Sequence, residues 1–198
     1  MSHNALYRWH ATTLAVVVAG VLAVPANGAA QTVTGQARAV QAATALGTTV
    51  LADTGTLGST SDARDAALAV GSIGSVFGGD VLHAVTIGWP DQVVSQVSVG
   101  NVGVRVGTTS IAADVVMASV VASLDAVTSA GSLIGNLSIN GVPVAVTGQP
   151  NQRIFIPGGR IVINEQTVSG AGTTVNALHA TVAGVADVVI ASATAGIQ

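Results

Sequence analysis

The chain has 198 residues, of which about half are hydrophobic and only 8% charged, with no lysine and no cysteine. Six arginines against nine acids leave a net charge of −3. That excludes a nucleic-acid binder, which needs clustered Lys and Arg, and gives no pull toward an anionic membrane surface; so apolar a chain is not disordered either.

The first thirty residues stand apart. Arg8, flanked by His3 and His10, precedes an apolar run from Ala11 to Val24, followed by Pro25 and the small residues Ala26, Asn27, Gly28, Ala29 and Ala30. A charged stretch, an apolar stretch of about 7–15 residues and a small-x-small site make up a secretory leader. Gly28 and Ala30 fit that site, so residues 1–30 are expected to be a signal peptide and residues 31–198 a single β-rich extracellular domain. The apolar run is short for a membrane span of about 20 residues, and no span is expected in the mature chain. A domain of this size buries roughly 70% of its extended-chain surface, so it needs no disulfide.

Past residue 31, Val, Ile, Ala and Thr dominate and Gly marks the stops, a composition that favours strands. Strands are expected at Thr32–Ala42 and Thr48–Ala52. Ser61–Val70, with a capping serine and early acids, reads as one short helix. Val81–Ile87 reads as a strand leading to the turn Gly88-Trp89-Pro90-Asp91. Val97 and Val99 before Gly100-Asn101, with Val102, Val104 and Val106 after it, predict a hairpin.

Alternation from Ile111 to Ala118 predicts another strand, and the valine content of Asp114–Leu124 favours strand over helix. Asn140-Gly141 is a type I′ turn signal, pairing Leu137–Ile139 with Val142–Thr147. Pro157-Gly158-Gly159 joins Arg153–Ile156 to Arg160–Asn164, with Ile161, Ile163 and Glu165 expected on one face. Thr173–Val182 and Asp187–Ala193 complete the set. About ten strands with little helix predict an all-β fold, an antiparallel β-sandwich or a barrel-like variant. A weak internal echo links Leu82-His83-Ala84 with Leu178-His179-Ala180. If those two segments are neighbouring strands, the histidines meet.

Catalytic signatures are absent from the sequence. There is no G-x-S-x-G, no cysteine nucleophile, no lysine for Schiff-base or P-loop chemistry, and no H-E-x-x-H or EF-hand loop. No catalytic residue, metal site or cofactor is therefore expected, and the chain reads as no enzyme. His83 and His179, each inside an apolar strand, are expected to bond to backbone or to a neighbouring strand. Glu165 is the sole glutamate and has no evident partner.

Three residues remain as speculative ligand contacts. Trp89 on its turn would stack on a sugar or anchor a partner, or else plug a core poor in large side chains. Asp62 and Asp65, beside the Gly58–Ser61 loop, would offer oxygens to calcium, or else cap a helix.

The C-terminal third carries a resemblance. Leu137-Ser138-Ile139-Asn140-Gly141-Val142-Pro143-Val144, Ile156-Pro157-Gly158-Gly159, Ile163-Asn164-Glu165-Gln166, Val175-Asn176-Ala177-Leu178-His179 and Ala186-Asp187-Val188-Val189-Ile190 resemble the choice-of-anchor P family of secreted bacterial surface domains. The resemblance runs over roughly Leu133–Gly196 and implies an exported β-rich domain with no catalytic residues to carry over. The chain ends at Gln198 without an LPxTG-like motif, a hydrophobic tail or basic residues, so release or non-covalent retention is expected.

The resulting expectation is a non-catalytic, exported, extracellular or cell-surface module whose partners are copies of itself or other envelope components. Its alternatives are a self-assembling fibre or coat subunit, and a small carbohydrate- or calcium-binding module.

Overall fold

The computed structural model describes residues 31–198, and the leader expected at 1–30 lies outside the described residues. The runs of Val, Ala and Thr form thirteen strands, with no helix among the described residues. They are β1 (Val33–Thr44), β2 (Gly47–Asp53), β3 (Ala63–Ile73), β4 (Phe77–Gly88), β5 (Gln92–Val106), β6 (Thr109–Ser123) and β7 (Ala126–Gly135). The short β8 (Ser138–Ile139) and β9 (Val142–Pro143) follow, then β10 (Gln152–Ile156), β11 (Gly159–Ser169), β12 (Gly172–Val182) and β13 (Ala186–Ile197).

All pairings are antiparallel. Sheet A has the order β10-β11-β12-β13-β1-β2, and sheet B the order β3-β4-β5-β6-β8-β9 with β7 also on β6. Both are open sheets, and they pack face to face as the expected sandwich. The core between them is Val, Ala and Ile with few larger side chains, among them Phe77, Leu82 and Leu178.

Three local expectations give way to tertiary pairing. Ser61–Val70 is no helix: from Ala63 the chain is β3, laddered on β4 from Ala63↔Ile87 to Ile73↔Phe77. A ten-residue helix is marginal alone, whereas this ladder satisfies the backbone along its length. Gly100-Asn101 is no turn but lies inside β5, where Asn101 has φ 47°. Val142–Thr147 is a strand only at Val142–Pro143, because Pro143 has no N–H to continue a ladder. The Asn140-Gly141 and Pro157-Gly158-Gly159 hairpins form as expected.

The feature that organises the sandwich is a line of left-handed residues crossing each sheet. In sheet A these are Ala52 (φ 46°), Ala191 (54°) and Asn164 (51°), on alternate strands β2, β13 and β11. In sheet B they include Val81 (49°), Asn101 (47°) and Asn136 (53°). A regular strand sends successive side chains to opposite faces; along this line each strand slips that phase by one. In β12 the buried set changes from Val175 and Ala177 to Leu178 and Ala180, and in β1 from Ala37 and Ala39 to Val40 and Ala42. In β5 it changes from Val97 and Val99 to Val102 and Val104.

Asn tolerates the left-handed region because its side chain bonds locally. On sheet B those amides also stitch the line: Asn101 Nδ2 donates to Asp80 Oδ2 at 2.9 Å and Asn136 Nδ2 to Asp114 Oδ2 at 2.6 Å. The line overturns the expected face of β11. Ile161 and Ile163 are buried, but Asn164 turns Glu165 outward.

Candidate functional site

The phase slip gathers polar side chains on the outer face of sheet A. One register row reads Glu165, Asn176, Ser192, Arg38 and Asp53 across β11, β12, β13, β1 and β2. Another reads Arg160, Thr181 and Asp187. His179 sits between the two rows on β12. Its side chain is 18% exposed.

Glu165 is not partnerless. Its Oε2 accepts from Asn176 Nδ2 at 2.8 Å and lies 2.8 Å from His179 Nδ1. The other ring nitrogen, Nε2, lies 3.1 Å from Asp187 Oδ1 and 3.3 Å from Thr181 Oγ1. When Nδ1–H donates to Glu165, Nε2 accepts the Thr181 hydroxyl; once protonated, it donates to Asp187 instead. Burial pushes the Glu165 carboxyl up, but the bonds from Asn176 and His179, with the charges of His179 and Arg160, outweigh it and hold the group below its ordinary value. The network ties β11, β12 and β13 together through their side chains.

Along the row, Arg38 Nε pairs with Asp53 Oδ2 at 3.0 Å and Gln36 Nε2 donates to Asp53 Oδ1 at 3.0 Å. Burial raises the Asp53 carboxyl, and the bonds from Gln36, Gly55 and Arg38 more than reverse that.

Hydroxyl, imidazole and carboxylate stand here in the order of an acyl-transfer triad, and the same bonds clasp β11, β12 and β13 to one another. Asp187 shares the nitrogen that would serve Thr181. Thr181 itself stands between two open hollows of about 350 and 290 Å³ on a sheet face. A nucleophile needs a pocket that holds the reacting carbonyl and excludes water.

The residues singled out from sequence lie elsewhere. Trp89 is 42% exposed in the β4–β5 turn and is no core plug; its backbone N–H donates to Gln92 O at 2.7 Å. Asp62 Oδ2 accepts from Gly58 N–H at 2.7 Å and from Arg64 Nε at 2.8 Å, which hold its carboxyl below the ordinary range. Asp65 is exposed on the edge strand β3. Among the described residues no three His, Asp or Glu side chains converge as metal ligands. His83 and His179 do not meet, since β4 belongs to sheet B and β12 to sheet A.

The Glu165–His179–Asp187 network has no spacing signature, because its members come from three strands. Two local signs of it are present in the chain: Asn164, able to turn left-handed before Glu165, and the buried neighbours Ala177-Leu178, which break the alternation before His179.

Comparison with family models, with curated proteins and with solved structures finds no match for this chain. Among the described residues no helix is long and apolar enough to cross a membrane.

Proposed function

We propose that this chain is a non-catalytic module, exported to the cell surface or beyond, that acts through the surfaces it displays. The observation that carries this reading is the closed Glu165–His179–Asp187 network: the chain's best acid–base constellation is spent on joining three strands. The leader pattern in residues 1–30 and the resemblance of the C-terminal third to choice-of-anchor P domains support export. The test is a hydrolase substrate panel on the purified chain, run beside His179→Gln, with protease shaving of intact cells. Turnover that vanishes in a folded His179→Gln variant, or a chain inaccessible to the protease, overturns it.

A second reading, assembly of copies into a fibre or coat, is favoured by β3. This eleven-residue edge strand has no hydrogen-bonded neighbour on one side, carries charge only at Arg64 and Asp65 near its start, has no Lys or Pro to blunt pairing, and exposes Leu68 and Val70. Light scattering with negative-stain imaging over a concentration series tests it, and monomers at every concentration sink it.

A further inference from the structure

The two ends of the sandwich are complementary. At one end the β1–β2, β3–β4 and β12–β13 turns surround a cavity of about 420 Å³, walled by Leu46, Ile73, Val76 and Val185. Leu46 is fully exposed on its turn and Val185 half exposed. Turn tips ordinarily carry polar residues or glycine, so a bare leucine beside an apolar hollow is an uncovered surface. Arg105 is the one charged residue of the lining. Its backbone N–H is held by Val76 O at 2.8 Å, and its guanidinium forms no ion pair among the described residues.

At the other end the β6–β7 turn projects an apolar knob. Val127 is 95% exposed and Leu124 44%. Between them is Asp125, exposed and without an ion-pair partner among the described residues. The Leu124 N–H donates to Asp91 O at 3.1 Å, which fixes the knob against the Trp89 turn. One end thus offers a hollow lined by a single cation, and the other an apolar projection that carries Asp125, with the exposed Asp91 in the turn beside it.

We propose that copies of this chain join head to tail, the Leu124–Val127 segment at the β6–β7 turn of one seated in the apolar cavity of the next, with Asp125 on Arg105. The proposal rests on the assembly reading and names the surfaces that carry it. A contact between unlike ends does not close on itself unless the rotation happens to form a ring, so it propagates as a filament. A four-residue segment in a hollow of this size buries less than the roughly 1,200 Å² of a standard stable interface. The association is therefore weak, concentration-dependent and, because an exposed ion pair contributes, sensitive to salt.

The test is sedimentation of the chain from Gln31 to Gln198 over a concentration series at low and high salt. It is run for the wild type, Asp125→Arg, Arg105→Asp, the double variant carrying both, and the edge variant Val70→Lys. Both charged residues are exposed, so the variants keep the fold, which circular dichroism checks. The wild type is expected to self-associate, each single reversal to weaken association by about tenfold or more, and the double reversal to restore it. Association unchanged by the single reversals, or not restored by the double one, overturns the head-to-tail contact; if Val70→Lys alone abolishes it, assembly runs through β3 instead. A wild type that stays monomeric throughout overturns both the contact and the assembly reading.

Discussion

The Ser95 hydroxyl donates to the backbone carbonyl of Thr194 at 2.6 Å, from β5 of one sheet to β13 of the other, through the middle of the sandwich. The donor in turn accepts from Thr86, whose Oγ1 lies 2.7 Å away. Thr86 and Ser95 are fully buried in a core built chiefly of Val, Ala and Ile. Most buried hydroxyls are bonded, and here the bond also links one sheet to the other.

Replacing Ser95 by Ala strips Thr86 of its acceptor and the Thr194 carbonyl of a donor. A buried group left unmatched costs about 1–3 kcal/mol. Thermal unfolding of Ser95→Ala should show a loss in that range. A midpoint equal to that of the wild type would mean that the hydroxyls find other partners.

Val81 is a β-branched residue held at φ 49° with its side chain 68% exposed. The left-handed region costs an ordinary L-residue roughly 1–2 kcal/mol, and this exposed side chain recovers little of that by packing. Val81→Asn is therefore expected to raise the unfolding midpoint by roughly 2–4 °C. Destabilisation by this change would mean that Val81 makes a contact worth more than the strain.

Gly159 opens β11 where no side chain fits: a Cβ there collides with the Thr181 carbonyl oxygen of β12. Gly159→Ala is expected to push β11 off β12 and to destabilise the chain by several kcal/mol, in the manner of forced overpacking. Hydrogen exchange should localise the loss to the β10–β11 hairpin. Unchanged exchange there would refute the clash.

Acid should weaken the fold through Glu165 and Asp53, both held below their ordinary values. The unfolded chain binds protons at these groups at a higher pH than the folded chain does. Their stabilisation is thus complete above the ordinary carboxylate range and is lost as pH falls through that range to the lower folded values. Urea midpoints should drop across that window, and Glu165→Gln should flatten the drop. An unaltered slope in Glu165→Gln would show that the network does not depend on the carboxylate's charge.

The all-β class follows from composition: Val, Ile, Thr and Ala at period two, punctuated by Gly, suit a pleated layer and little else. The hairpins at Asn140-Gly141 and Pro157-Gly158-Gly159 follow from turn residues whose conformational freedom is intrinsic. Two neighbouring signals misled because they were local. Ser61–Val70 has the caps of a helix but pairs with β4, and Gly100-Asn101 has the residues of a turn but supplies the left-handed link inside β5. Even Asn101's tolerance of positive φ was legible; whether it would end a strand or bend one was not.

What the sequence alone determined is therefore the set of intrinsic preferences: strand over helix in bulk, the tight turns, and the scarcity of charge. What only the tertiary structure decided is which residues share a face. The left-handed line shifts the alternation of the strands it crosses by one, so Ile163 and Glu165 part company, Glu165 reaches His179 from the adjoining strand, and Asp187 arrives from the strand beyond. A strand's side-chain phase is a property of the ladder it joins. One residue at positive φ resets that phase for everything after it, and the energy that permits the resetting comes from the ladder of hydrogen bonds to the strands on either side.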